Sequence, residues 1–336
     1  MKKMAKRLLI IFIIFFILIG SFSIFSYLFF KRSAMASIME LSMKRMDYKK
    51  EDSTVEEIIK EINDIDNSDY EIIGDYDVDI ETMYLEGMKY FVLDYRNTSS
   101  SESSDNNSGD SIDENVILYF HGGAYVFQLN EIQVLTAVKM AKGTNAKLII
   151  PLYPLAPKHT AIEAYDFLDK LYNNIINENP NSNIIFAGDS AGGGLALGFA
   201  EYLLDKQIKN PDKLVLISPW VDISMDNKEI DDYIDVDPML NKKSLIIEGE
   251  MWKGSLSNKD YRVSPMYGNM EGLCDTLLFV GTRELFFPDI LLLHEKLKEN
   301  GVNSTLEIGE NMNHVYVGYP IKEADDAMDK IIEFTK

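Results

Sequence analysis

Two kinds of hydrophobic spacing divide the chain. From Leu8 to Phe30 the sequence LLIIFIIFFILIGSFSIFSYLFF runs for 23 residues without a charge. From Val116 onward the apolar positions come instead in runs of four or five, separated by stretches with helical spacing. Val116–Phe120, Leu148–Leu152, Ile184–Ala187, Leu214–Ile217, Leu277–Val280 and Thr305–Ile308 read as strands. Ile132–Ala141, Ile162–Ile176, Leu195–Ala200, Ile290–Lys298 and Ala324–Phe334 read as helices. Strands alternating with helices predict an α/β class fold with a mostly parallel, doubly wound sheet. Its ligand site belongs beyond the carboxyl ends of the strands. Residues 221–262 break the rhythm and read as an insertion lying over that site.

The region between the apolar run and the alternating part is less regular. Residues 33–50 are mixed and Met-rich, fitting either an extension of the preceding helix or the lining of an entrance. Ser53-Thr54-Val55-Glu56 has capping-box form, and Val55, Ile58, Ile59 and Ile62 predict a helix from about Thr54 to Ile65. Tyr76, Val78, Ile80, Thr82 and Tyr84 alternate with acidic residues, predicting a strand. Met88–Tyr95 reads as its partner, turned at Glu86-Gly87. The stretch from Asp75 to Glu86 also imitates a calcium-binding loop, but Ile80 stands where that loop requires glycine. Asn97–Asn115, Ser-rich and almost free of large apolar groups, predicts a flexible surface loop, an excursion from one sheet.

A helix of 23 residues reaches across a hydrocarbon core of about 30 Å. The small-x-small triplet Ala34-Met35-Ala36 suggests a cleaved signal instead. However, the apolar stretch is longer than the roughly 7–15 residues of a signal core, and Lys31-Arg32 intervenes. The expectation is a retained, single-pass anchor in a lipid bilayer through residues 8–30. Basic residues flank both sides, so positive charge does not fix orientation. A short basic N-terminus feeding an apolar helix favours a cell-membrane protein with its following domain outside the cytoplasm.

Charge changes the picture of partners. The chain carries a formal −21, but the first 32 residues hold only basic groups, leaving 27 basic against 54 acidic residues in the remainder. Such a surface repels phosphate backbones and argues against nucleic acid. Cys274 is the single cysteine, so no disulfide forms within the chain.

Candidate chemistry centres on Gly188-Asp189-Ser190-Ala191-Gly192, a G-x-S-x-G between a predicted strand and a predicted helix. A turn that sharp demands small neighbours and lifts the hydroxyl above a helix N-terminus, where developing negative charge is favoured. No G-K-[ST] follows, which sets aside a phosphate-binding loop. A serine nucleophile needs a base, an orienting acid and an oxyanion hole. Of four histidines, only His294 and His314 follow Ser190. His294 falls within an apolar helix; His314 lies in the loop after the last strand and is the expected base. Glu284 and Asp289 both follow Leu277–Val280 and both qualify as the acid, with Glu284 nearer the strand end. The small residues of Phe120-His121-Gly122-Gly123-Ala124 admit a carbonyl oxygen, so the amides of Gly122, Gly123 and Ala124, with that of Ala191, are the candidate oxyanion donors. His121 is expected to hold this loop by hydrogen bonding.

Together these residues resemble the hormone-sensitive-lipase-like branch of α/β-hydrolase carboxylesterases. The marks are His121-Gly122-Gly123-Ala124, Tyr153-Pro154-Leu155-Ala156-Pro157, Gly188-Asp189-Ser190-Ala191-Gly192-Gly193, Ser218-Pro219-Trp220-Val221-Asp222 and Asn313-His314, in the family's order. The resemblance implies an α/β-hydrolase fold with a helical cap, a Ser190/Glu284/His314 triad and hydrolysis of short- to medium-chain esters without metal or cofactor. The implied partner is a small-molecule ester. Rival expectations are a deacetylase or amidase acting on a cell-surface acyl group, and a non-catalytic membrane scaffold. The expected division is an anchor at 1–32, linker and cap helices at 33–75, and a catalytic domain at 76–336 containing the 97–115 loop and the 221–262 cap insertion. Two departures stand out: Ala124 replaces the third loop glycine, and Glu284-Leu285-Phe286 replaces the usual D-P-L.

Overall fold

The computed structural model describes residues 20–47, 49–65, 70–96 and 114–336. Eight strands form one sheet: β1 (Glu81–Leu85), β2 (Met88–Asp94), β3 (Asn115–Phe120), β4 (Lys147–Pro151), β5 (Asn183–Asp189), β6 (Lys213–Ile217), β7 (Asp275–Gly281) and β8 (Ser304–Gly309), in the order β1-β2-β4-β3-β5-β6-β7-β8. β1 and β2 pair antiparallel, as do β2 and β4, and every later pairing is parallel. The continuous apolar runs are explained by this arrangement, since β3 is buried along its whole length.

Alternate residues of each central strand feed two core layers. Val116, Leu118 and Phe120 point into one layer, Ile117 and Tyr119 into the other. Helices α4 (Ala161–Glu178), α5 (Ala191–Asp205) and α7 (Phe287–Glu299) cover the first layer, and α3 (Glu131–Gly143) and α8 (Lys322–Thr335) the second. Each fully buried Phe, Leu or Ile in these layers contributes about 1.5–3 kcal/mol. Ahead of the sheet lie α1 (Ala34–Arg45) and α2 (Val55–Asp64), the latter closed by the expected capping box between Thr54 and Glu57. The 221–262 insertion holds a 3-10 turn at Lys228–Tyr233 and helix α6 (Lys242–Lys253).

Two expectations change. The alternation from Tyr76 to Tyr84 yields a strand only at Glu81–Leu85. Before it, the Asp75 carboxylate accepts from the Asp77 N–H at 3.1 Å and Asp77 turns to φ 65°, so an Asx turn ends the extended chain. Residues 97–113 of the expected loop lie outside the described residues, and Asn115, placed in that loop, instead begins β3. Residues 8–19 of the expected span also lie outside them. Residues 20–30 are helical with Ile24, Tyr27, Leu28 and Phe29 exposed, yet among the described residues no helix is long and apolar enough to cross a membrane.

Candidate active site

Ser190 stands between β5 and α5, capping the helix at φ 53° and ψ −123°, a conformation few side chains tolerate. Close approach at this turn explains its glycines. A Cβ at Gly188 would lie 2.5 Å from the Gly192 carbonyl oxygen, and one at Gly192 would lie 2.0 Å from that of Phe120. Held this way, Ser190 Oγ sits 2.9 Å from His314 Nε2. His314 hangs from the loop after β8, 124 residues further along the chain. Its Nδ1 makes a short hydrogen bond to Glu284 Oε2, and both side chains are buried.

Glu284 is fixed from its other oxygen. Oε1 accepts from the Gly281 N–H at 2.7 Å and from the Ser218 hydroxyl at 2.9 Å. Ser218 in turn accepts from the Val315 N–H at 3.1 Å, tying the acid to the residue after the histidine. Asp289 does not enter this arrangement. It accepts from the Asn227 side chain at 2.7 Å, and burial pushes its carboxyl up to about 6. Nor does His294 of α7, whose Nδ1 meets Oγ of Ser304, the first residue of β8, at 2.9 Å.

The loop after β3 turns through positive φ at Gly123, Ala124 and Tyr125. The N–H groups of Gly123, Ala124 and Ala191 find no acceptor among the described residues, and Gly123, Ala124 and Ser190 line one cavity. Gly122 departs from expectation. Its N–H donates to Asp189 Oδ1 at 3.1 Å, so it holds the loop and is not free for a ligand. The same carboxylate accepts from Tyr119 at 2.7 Å and from Gln133 at 2.9 Å. His121 acts as expected: its Nδ1 meets the Gly122 carbonyl at 2.8 Å and its ring stacks on Tyr153. Burial pushes its pKa down to about 4, keeping the ring neutral.

An aromatic column backs the site. Trp252 of α6 stacks on Tyr125 with centroids 4.3 Å apart, Tyr125 on Trp220 at 5.5 Å, and Trp220 on Phe286 at 6.0 Å. Phe286 meets the His314 ring edge-on at 5.1 Å. Helix α6, the loop after β3, the segment after β6 and the loop after β7 are thereby packed as one body. Facing them is a cavity of about 970 Å³ whose outer wall comes from Met39 and Met43 of α1, Ile58 and Ile62 of α2, and Leu245 of α6. Among the described residues no group of three or more His, Cys, Asp or Glu side chains could hold a metal ion.

Reading the sequence alone misses two supporting residues. Ser218 appears there only as part of Ser218-Pro219-Trp220, although its place at the end of β6 beside the elbow strand marks it. Asp237 accepts from the Met239 and Leu240 N–H groups at 2.7 and 2.9 Å, and from that of Leu285 at 2.8 Å, gripping the residue after Glu284. An Asp before Pro238 is the turn signal that could have pointed to it.

A serine on a strained strand-to-helix turn, bonded to a histidine after the last strand of this sheet, defines an α/β-hydrolase site. A family profile described as alpha/beta hydrolase fold matches residues 117–318. An esterase of Acinetobacter venetianus is 29% identical over 224 residues, covering 65% of this chain and 74% of that one. The structure of a Staphylococcus aureus protein proposed to be an esterase superposes with a TM-score of 0.71 at 26% identity, covering 82% of this chain and 88% of that one. An esterase of the bacterial hormone-sensitive lipase family shares the fold at a TM-score of 0.70 and 22% identity, over 89% of this chain and 97% of that one. The chain belongs to the α/β-hydrolase fold family.

Proposed function

We propose that this protein hydrolyses short- to medium-chain carboxylic esters through an acyl-enzyme on Ser190. The observation that carries the reading is the 2.9 Å contact between Ser190 Oγ and His314 Nε2 beside three unengaged backbone amides. As Oγ attacks the ester carbonyl carbon, His314 Nε2 takes its proton and Glu284 stabilises the imidazolium at Nδ1. The N–H groups of Gly123, Ala124 and Ala191 receive the carbonyl oxygen as it becomes an oxyanion. Collapse breaks the bond to the alcohol, which leaves with the proton from His314. Water then repeats the cycle on the acyl-enzyme, releasing the acid and restoring the Ser190 hydroxyl.

The test is labelling of the folded protein with a fluorophosphonate, followed by turnover of p-nitrophenyl butyrate. A single adduct at Ser190 that abolishes turnover is expected. A folded protein that takes no adduct at Ser190 favours the scaffold reading.

We also propose that residues 8–30 anchor the domain in a cell membrane with the site outside the cytoplasm. Support comes from the uncharged run and from the exposed apolar helix at residues 20–30, which ends at Lys31 and a buried Arg32. Resistance of the full chain to alkaline extraction, with protease access in intact cells, is the expected result. Release by alkali removes the anchor reading, and protection from protease reverses the orientation.

A further inference from the structure

The cavity beside Ser190 has a polar feature that ester hydrolysis itself does not use. Glu248, on α6, is only 6% exposed yet lines this cavity. Its carboxyl makes no hydrogen bond or ion pair with any described residue. Leu245, one turn earlier on the same helix, and Ile58 and Ile62 of the facing α2 line the same cavity and are apolar. The charged groups on that wall are already engaged. Glu61 of α2 pairs with Lys50, and the Lys49 ammonium is held by the Ile234 carbonyl and by Glu51 at 3.2 Å.

A carboxyl buried without a partner is costly wherever it is purely structural. A cavity-facing one recovers that cost when a ligand group meets it. Burial, reinforced by the negative charge of Glu61, pushes the Glu248 carboxyl up to about 8. At neutral pH it therefore offers one O–H donor and a carbonyl acceptor. A hydroxyl group is the partner that satisfies both. An ammonium group is the competing partner, since Asp47, Glu61 and Glu131 line the same cavity along with Lys49 and Lys50, and the test below includes it.

We propose that Glu248 is a specificity-determining residue that receives a hydroxyl of the substrate, so that hydroxyl-bearing esters are preferred over plain alkyl esters. This rests on Ser190 being the nucleophile. The hydroxyl belongs either to the acyl chain or to the leaving alcohol, and two substrate pairs separate these sources. One pair is p-nitrophenyl 6-hydroxyhexanoate against p-nitrophenyl hexanoate; the other is glyceryl monobutyrate against propyl butyrate. The readout is the ratio of kcat/KM within each pair, in which any loss of folded protein cancels. The full-length protein is expected to favour the hydroxylated member of one pair by roughly five- to tenfold, the scale of one or two added hydrogen bonds. Glu248→Leu is expected to bring that ratio close to one, whereas Glu248→Gln, which keeps a donor and an acceptor, retains most of it.

Several outcomes overturn the assignment. Hydrolysis of both pairs by the unmodified protein without discrimination is sufficient, even if neither variant folds. Discrimination that survives Glu248→Leu is equally decisive. A stronger preference for p-nitrophenyl 6-aminohexanoate, lost in Glu248→Leu, replaces the hydroxyl with a cation. Failure to cleave any of these esters strikes the esterase reading instead.

Discussion

Glu40 Oε1, on the helix that precedes the sheet, lies 2.9 Å from Nη2 of Arg283, the residue before Glu284. Its other oxygen lies 2.5 Å from Arg32 Nη1, a close ion pair without hydrogen-bond alignment. Arg32 donates from the same nitrogen to the Asn311 carbonyl at 2.7 Å, and the Arg283 N–H donates to that of Met312 at 3.0 Å. The N-terminal segment thus grips the loops carrying both Glu284 and His314. Burial alone would raise the Glu40 pKa, but Lys44, Arg283 and Arg32 together hold it below the usual carboxylate range.

Removing Glu40 leaves two buried or half-buried guanidinium groups without their anion, a loss typical of broken buried pairs. Glu40→Ala is expected to lower kcat by about tenfold or more while KM moves less, because the displaced elements are the loops behind His314 and not the acyl wall. Turnover per fluorophosphonate-titrated site checks this, since a purely structural role would lower the number of sites and leave turnover per site unchanged. Lys44→Ala removes the partner that is largely solvent-exposed and should leave both parameters within about twofold.

The Glu284 and Asp289 alternatives separate sharply. Ser190→Ala and His314→Ala are each expected to reduce kcat on p-nitrophenyl butyrate by roughly 10⁴-fold or more. Glu284→Gln keeps the size of the side chain but loses the charge facing His314 Nδ1, with an expected loss of about 10²- to 10⁴-fold. Asp289→Asn, whose native partner is Asn227, should stay within about threefold. A larger effect at Asp289 than at Glu284 would reassign the acid.

Gly122 tests the oxyanion loop indirectly. A methyl group there would stand 2.3 Å from Asp189 Oδ2 and 2.8 Å from the Asp189 carbonyl oxygen. The carboxylate could rotate, but the backbone of the elbow could not, so the loop must move outward and carry Gly123 and Ala124 with it. Gly122→Ala is expected to cost about 10²-fold in kcat, on the scale of one lost oxyanion donor, with KM less affected. Steady-state kinetics on p-nitrophenyl butyrate, with thermal unfolding to confirm folding, checks it.

Much of this was legible in the sequence because it is local or periodic. The elbow glycines, the apolar strand runs and the Thr54 capping box each follow from neighbours a few residues apart. Glu284, one methylene longer than the family's Asp, fits because its far oxygen is held by Gly281 and Ser218. What was not legible depends on partners distant in the chain. Nothing near Gly122 says that its amide is taken by Asp189, 67 positions later. The Tyr76–Tyr84 alternation was overruled by a local Asx turn. Glu248 reads in Lys242–Lys253 as one polar residue among several, and only the packing of α2 across α6 buries it.

That burial has a measurable consequence for stability. The Glu248 carboxyl binds its proton more tightly in the folded protein, up to about 8, than at its ordinary 4.5 in the unfolded chain. Between those values the folded state carries the extra proton, so stability falls as pH rises through the window. Below about 4.5 both states are protonated and no cost of ionisation is present; above about 8 the full cost of a buried carboxylate, facing Glu61, is present. Glu248→Gln removes the titration while keeping the shape. Its melting temperature should match that of the unmodified protein near pH 4.5 and exceed it by a few degrees near pH 8.5. Differential scanning calorimetry at the two pH values checks this, and an equal offset at both would show that Glu248 does not titrate on folding.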